Sequence, residues 1–211
     1  MLHYETIAPA TRKLLNRLMS DNRLHDFVLV GGTSLALQLG HRLSVDLDLF
    51  TDTDFNEDSM RAYLEKNYHF QADFMEPSTV KGEIDGIKID CIAHCYPWLK
   101  PCRQEDGLRL AQLEDIAAMK LNAIAGNGTR IKDFIDIAYL SSVFSLHQML
   151  GFYEQKYHSN TLMPLKGLIF FDDINKDEPV HMADGKPLQW KRIEKRLLSM
   201  DKYPNRVFES L

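Results

Sequence analysis

The 211-residue chain predicts an α+β fold: a mixed β-sheet with flanking helices, followed by a helical second half. Three observations carry this reading. Short apolar runs bounded by turn residues crowd the first hundred positions. Two of them are joined by Asp85-Gly86, a strong short-range hairpin signal. Beyond about residue 104 the apolar residues recur instead at helical spacing. The change falls just after the Pro97 to Pro101 connection, dividing the chain into an α/β unit over residues 1–103 and a helical unit over 104–211.

The elements follow in order. Ala10 to Asn22 carries Leu14, Leu15, Leu18 and Met19 on one helical face. Phe27 to Val30 reads as a short buried strand. Thr33 or Ser34 caps a helix that Gly40 ends, and Val45 to Phe50 is a second strand. Asn56 to Tyr68 reads as a helix; Phe70 to Met75, Val80 to Ile84 and Ile87 to Ala93 read as strands. Helices are expected at about Leu113 to Ala125, Ile131 to Val143, Ser145 to Tyr157, Thr161 to Phe170 and Pro187 to Met200. No internal repeat or low-complexity tract interrupts them.

Composition excludes several classes. Hydrophobic and charged fractions of 45% and 26% are those of an ordinary globular protein. No apolar run approaches the roughly 20 residues that span a bilayer, and MLHYETIAPATRKLL lacks a signal-peptide core, so a cytoplasmic protein with no membrane partner is expected. Three cysteines argue against a disulfide framework. Cys91, Cys95 and Cys102 with His94 match no zinc-ligand spacing and read as reduced thiols. A net charge of −5 does not advertise nucleic-acid binding. Between Lys186 and Arg206, however, seven basic residues stand against Glu194 and Asp201, a local balance of +5. The favoured reading is an amphipathic helix burying Trp190, Ile193 and Leu197; the alternative is contact with a phosphate backbone or an acidic partner.

The chemistry concentrates in Gly31 to Phe50, GGTSLALQLGHRLSVDLDLF. Alternation along a strand puts Asp46 and Asp48 on one face and Leu47 and Leu49 on the other. Two carboxylates so close repel unless a cation lies between them, and hard oxygen ligands select Mg²⁺ or Mn²⁺. Gly31 and Gly32, without Cβ atoms, let backbone N–H groups at a helix start approach phosphate oxygens. With no glycine-lysine-serine or glycine-lysine-threonine run, they are the only plausible phosphate cradle, with Thr33 beside them. Ser44 shares the face of Asp46 and points to phosphate; Arg42 either does the same or clamps Asp46. Asp52, Asp54, Asn56 and Asp58 alternate like a calcium loop, but Glu57 stands where glycine is required and Tyr63 where a bidentate glutamate belongs.

Two further positions invite chemistry. Asp90 lies mid-strand on the face opposite Ile89 and Cys91, where a carboxylate needs a partner; Lys88 on its own face is one candidate. Lys120 sits in an otherwise apolar stretch, either reaching a cleft to neutralise phosphate or snorkelling to water. Asp133 and Asp136, three apart, share a helix side, with Arg130 and Lys132 near enough to pair with them.

The glycine pair followed by Asp46-Leu47-Asp48 resembles the signature of the nucleotidyltransferase superfamily of DNA polymerase beta type. Arg42 to Phe50, RLSVDLDLF, looks more narrowly like the AbiEii/AbiGii toxin branch, as does Leu113 to Leu140 with Lys120, Asp133 and Asp136; Phe171-Asp172-Asp173 and Trp190 are a weaker echo. The resemblance spans about Phe27 to Trp190. It implies a nucleotidyltransferase-type sheet, metal bound by Asp46 and Asp48, Asp90 as the third acid, and Asp136 in preference to Asp133 lining the active site. It also implies a nucleoside triphosphate substrate, the toxin role in a toxin–antitoxin pair with a cognate antitoxin, and transfer RNA or another RNA as acceptor. Transfer to a protein or small molecule, and a non-catalytic nucleotide-binding module or antitoxin, are the alternatives. Nucleobase, acceptor and oligomeric state are not legible in the sequence.

Overall fold

All of residues 1–211 are described in the computed structural model of the chain. Seven strands build one mixed sheet: β1 Val28–Leu29, β2 Leu47–Thr51, β3 Gln71–Glu76, β4 Thr79–Ile84, β5 Ile87–Ala93, β6 Arg103–Glu105 and β7 Leu108–Leu110. Their order across the sheet is β3-β4-β5-β2-β1-β7-β6. β2 runs parallel to β5 and β1 parallel to β7, and every other neighbouring pair is antiparallel. The helices are α1 Pro9–Met19, α2 Gly31–Leu39, α3 Glu57–Tyr68, α4 Leu113–Gly126, α5 Ile131–Leu140, α6 Leu146–Tyr157, α7 Leu162–Leu168 and α8 Trp190–Lys202.

Local chemistry sets these boundaries. The Asn56 side chain accepts from Ser59 N at 2.8 Å and starts α3. Ser145 and Gln148 form a reciprocal capping box at α6. Gly40 ends α2 in the left-handed conformation. Asp85 and Gly86, both with positive φ, make the two-residue turn joining β4 to β5.

The sequence reading misses β6 and β7. Residues 103–110 form a second hairpin, with Asp106-Gly107 at its turn, that extends the sheet through Leu29 opposite Leu110. Each strand is three residues long, too short for alternation to register. Arg109 then ties this hairpin to the first helix region, donating to the carbonyls of Met19, Leu24 and Phe27 at 2.7, 2.9 and 2.8 Å. Among the helices, α5 stops at Leu140 rather than Val143, and α8 begins at Trp190, after Pro187.

Two apolar cores result. One joins α1 and α3 to a sheet face carrying Leu47, Leu49, Val80, Ile89 and Cys91. The other joins α4, α5, α6 and α8 to Val28, Val30 and Leu35. Alternation along β2 has a direct consequence: its leucines seal the first core while Asp48 and Phe50 face the helical half. The cleft lies there.

Candidate active site

A cleft of about 450 Å³ is lined by Gly31, Gly32, Ser44, Asp46, Asp48, Lys120 and Asp133, among others. Asp46 immediately precedes β2 and Asp48 lies within it. Gly31 has a φ of +66°, and a Cβ there would collide with Asp48 Oδ2; a Cβ at Gly32 would collide with Arg42 Nη2. The glycines therefore do more than offer N–H groups. They let a carboxylate and a guanidinium pack against the start of α2.

The Asp48 backbone carbonyl accepts from Val30 N at 2.9 Å, but its carboxylate has no hydrogen-bond or ion-pair partner in the protein. Burial, and then the charges of Asp90 and Asp46, push its carboxyl up to about 6, against the opposing pull of Lys120 and Arg130. Asp90 stands directly across from Asp48 on β5. Its carboxylate is held at 2.9 Å by Lys81 of β4, not by Lys88, and it does not line the cleft. No three His, Cys, Asp or Glu side chains converge tightly enough to hold a metal by themselves. Asp46 and Asp48 supply two carboxylates and an uncompensated charge, a donor set that fits a hexacoordinate Mg²⁺ completing its shell with water and substrate phosphate.

Thr33 and Ser44 turn toward each other. Their hydroxyls are 2.7 Å apart, and Thr33 Oγ1 donates to the carbonyl of Asp46. Thr33 is thus a buried brace for the Asp46 backbone rather than an open cleft donor, whereas Ser44 reaches the cleft.

The helical half contributes a buried charge network. Arg42 grips Asp136 with Nε at 2.7 Å and Nη2 at 2.9 Å, a bidentate pair. Asp136 also meets His41 Nε2 at 2.8 Å and Lys120 Nζ at 2.7 Å; Lys120 reaches Asp133 at 2.6 Å. Despite its burial, Asp136 is held well below the usual carboxylate range by Arg42 and Lys120. Burial alone would lower the Lys120 ammonium, but Asp136 and Asp133 raise it above its ordinary value. His41 goes the other way: burial pushes it down in spite of Asp136. Beyond Asp90 and Thr33, two more expectations are corrected. Arg42 clamps Asp136, not Asp46, because its guanidinium passes beneath Gly32 toward α5. Asp133, not Asp136, lines the cleft; Asp136 has no exposed surface and lies under it.

Several lining residues were not singled out from sequence for this site. Arg130, expected to pair with Asp133 or Asp136, instead stands at the N-cap position of α5 without a capping side-chain bond and lines the cleft with no ion pair, while Lys132 bonds Glu178 at 2.8 Å. Phe50 follows from extending the alternation of Asp46 and Asp48 by one step. His94 and Tyr157 come from a strand exit and a helix end, and no local pattern marks them. Phe171 and Trp190, the weaker echo, pack edge-on against Phe134 in the helical core, away from the cleft. Cys91 is buried in the sheet core.

A glycine-started helix set against cleft-lining aspartates, faced by a lysine-bearing helical half, defines the class: this is a nucleotidyltransferase. The chain matches the nucleotidyl transferase AbiEii toxin family of type IV toxin–antitoxin systems over residues 13–99 and 92–207, and it belongs to that family. It is 31% identical over 173 residues to an uncharacterised protein of Aquifex aeolicus, covering 79% of this chain and 84% of that one. Its fold is similar to that of MenT4, a nucleotidyltransferase toxin of Mycobacterium tuberculosis (TM-score 0.62, 13% identity, 95% of this chain and 84% of that chain). It is also similar to a Helicobacter pylori crystal structure ascribed to a nucleotidyltransferase (TM-score 0.58, 18% identity, 94% and 96%). No helix is long and apolar enough to cross a membrane.

Proposed function

We propose that this protein transfers a nucleoside monophosphate from a nucleoside triphosphate to an acceptor hydroxyl, with Mg²⁺ or Mn²⁺ as cofactor. In this reading it is the cytoplasmic toxin of a type IV pair, neutralised by a cognate antitoxin, and transfer RNA is its acceptor. The carrying observation is the uncompensated Asp48 carboxylate lodged against Gly31 and facing Asp90. The expected boundary at residue 103 moves to about residue 111, because β6 and β7 belong to the sheet: the sheet part brings Asp46 and Asp48, and the helices from Leu113 onward bring Lys120 and Arg130 to the cleft.

Asp46 and Asp48 would hold the divalent ion, which when bound neutralises phosphate charge. Gly31 and Gly32 give the triphosphate room at the start of α2, and Ser44 offers a hydroxyl to it. Arg130, free of ion pairs, supplies the excess positive charge, since the charge of Lys120 is balanced by Asp133 and Asp136. Arg42, Thr33 and Asp136 are positioning residues: they fix Lys120, Asp46 and the glycine pair. The proton passes to water as the acceptor O–H bond breaks, since Asp90 is paired with Lys81 and does not line the cleft. The acceptor oxygen bonds to the α-phosphorus, the bond from that phosphorus to the bridging oxygen of the β-phosphate breaks, and pyrophosphate departs with the electron pair.

The test is purified protein with Mg²⁺, each labelled nucleoside triphosphate, and a mixture of transfer RNA, total RNA and cell protein. Label should enter RNA with stoichiometric pyrophosphate, and Asp48→Ala should abolish it. Label in protein or small molecules would reassign the acceptor; no transfer to any acceptor would defeat the enzymatic reading.

A further inference from the structure

The cleft has a second wall that the phosphate chemistry does not use. Phe50 lies two residues past Asp48 on the same face of β2, so its Cα is about 6.6 Å further along the strand, on the order of one ribose beyond the acids. His94, just past β5, lies 5.5 Å from the Phe50 ring and donates to or accepts from the Tyr157 hydroxyl at 3.0 Å. All three line the same cleft as Asp46 and Asp48. We propose that Phe50 and His94, held by Tyr157, form the surface on which the base of the incoming nucleoside triphosphate stacks.

The inference rests on the nucleotidyl-transfer reading. Its chemistry is that of a planar heteroaromatic ring against aromatic side chains, which every base satisfies. His94 suits stacking and not phosphate binding: burial, with Lys156 nearby, lowers it to about 4, so the ring is uncharged at neutral pH.

The wall is also stiffly backed. Lys156, adjacent to Tyr157 and wholly buried, donates to Asp115 Oδ1 at 2.7 Å and to the Pro97 carbonyl at 3.1 Å. Asp115 in turn accepts from the Leu99 and Lys100 N–H groups at 3.1 and 3.4 Å. One ion pair thus joins the helix end carrying Tyr157 to the connection just after His94. A buried ion pair is a poor source of stability, and here its geometry fixes the two halves of the wall to each other.

Calorimetry with Mg²⁺ and no acceptor tests this, using the four nucleoside triphosphates and, as a probe without base or sugar, inorganic tripolyphosphate. His94→Ala and the gentler Phe50→Leu, each checked for folding by thermal melting, should weaken nucleoside triphosphates about tenfold. Their tripolyphosphate affinity should stay within about twofold of wild type. Tyr157→Phe, which keeps the ring and loses the hydrogen bond, should fall between. Parallel weakening of both ligands, or of neither, overturns the proposal, as does wild-type protein binding tripolyphosphate as tightly as nucleotide. A raised KM for RNA with unchanged nucleotide affinity overturns it too, because the stacked base would then be the acceptor's. If wild-type protein binds neither ligand, the nucleotidyl-transfer reading itself fails.

Discussion

Replacing Asp48 by asparagine should make the metal-free protein more stable while abolishing its activity. The carboxyl is raised from an ordinary 3.8 to about 6, roughly two units, because burial and the Asp90 and Asp46 charges disfavour its ionised form. At about 1.36 kcal/mol per unit that is about 3 kcal/mol of strain in the ionised state, and its partial exposure discounts this to about 1–2 kcal/mol. The sign follows from linkage. Below pH 3.8 both folded and unfolded chains hold the proton and nothing is lost; as pH rises through 6 the unfolded chain releases it more readily, and the penalty reaches its full value. In EDTA at pH 7.5, Asp48→Asn should therefore raise Tm by about 2–8 °C, a gain that shrinks toward half at pH 5. Added Mg²⁺ should raise the wild-type Tm and leave the variant unmoved. Differential scanning calorimetry at the two pH values decides the matter. A variant no more stable than wild type at pH 7.5, or a gain equal at both pH values, refutes the picture of an uncompensated carboxylate.

Three further outcomes follow from the same structure. Asp136→Asn removes the shared acceptor of Arg42, Lys120 and His41 and should destabilise by about 3–5 kcal/mol in urea titration, opposite in sign to Asp48→Asn; a loss under about 1 kcal/mol would contradict the network. Gly31→Ala introduces a Cβ at φ +66° against Asp48 Oδ2 and should cost about 1–3 kcal/mol and remove nucleoside triphosphate binding by calorimetry; retained binding would deny the glycine its role. His94, held neutral and lowered to about 4, should cost stability as pH falls from 6.5 through 4, because the unfolded chain takes up the proton first. His94→Phe should flatten that part of the stability profile by about 1–2 kcal/mol, measured by urea melts at pH 7 and 5.

The legible parts of the fold are those whose information is local. Gly40, Asn56, Ser145 and the Asp85-Gly86 turn each satisfy a backbone requirement within a few residues of themselves, and the elements they bound lie within a few residues of expectation. The β6–β7 hairpin escaped because its strands hold together through Leu29, eighty-one positions from Leu110, and through Arg109 reaching three carbonyls near α1. Its Asp106-Gly107 turn carried the same signal as Asp85-Gly86, but three-residue strands gave that signal nothing to join.

The site divides in the same way. Alternation put Asp46 and Asp48 on one strand face and the missing Cβ marked Gly31 as a close-approach position, but it is the pairing of β1 with β2 that sets Gly31 against Asp48. Asp90 could be nominated from the polarity of its strand, yet only register sets it opposite Asp48, and only β4 supplies Lys81 as its partner. Arg42 stands four positions from Asp46 and its carboxylate partner is Asp136, ninety-four positions away. That choice depends on where α5 packs and on the gap left by Gly32. A sequence states which groups a chain can offer; buried charges are paired by three-dimensional proximity, because in a medium of low dielectric the nearest opposite charge outweighs any neighbour along the chain. The glycines and aspartates therefore announced the chemistry, and tertiary packing decided which charges are balanced within the protein and which carboxylate remains uncompensated in the cleft.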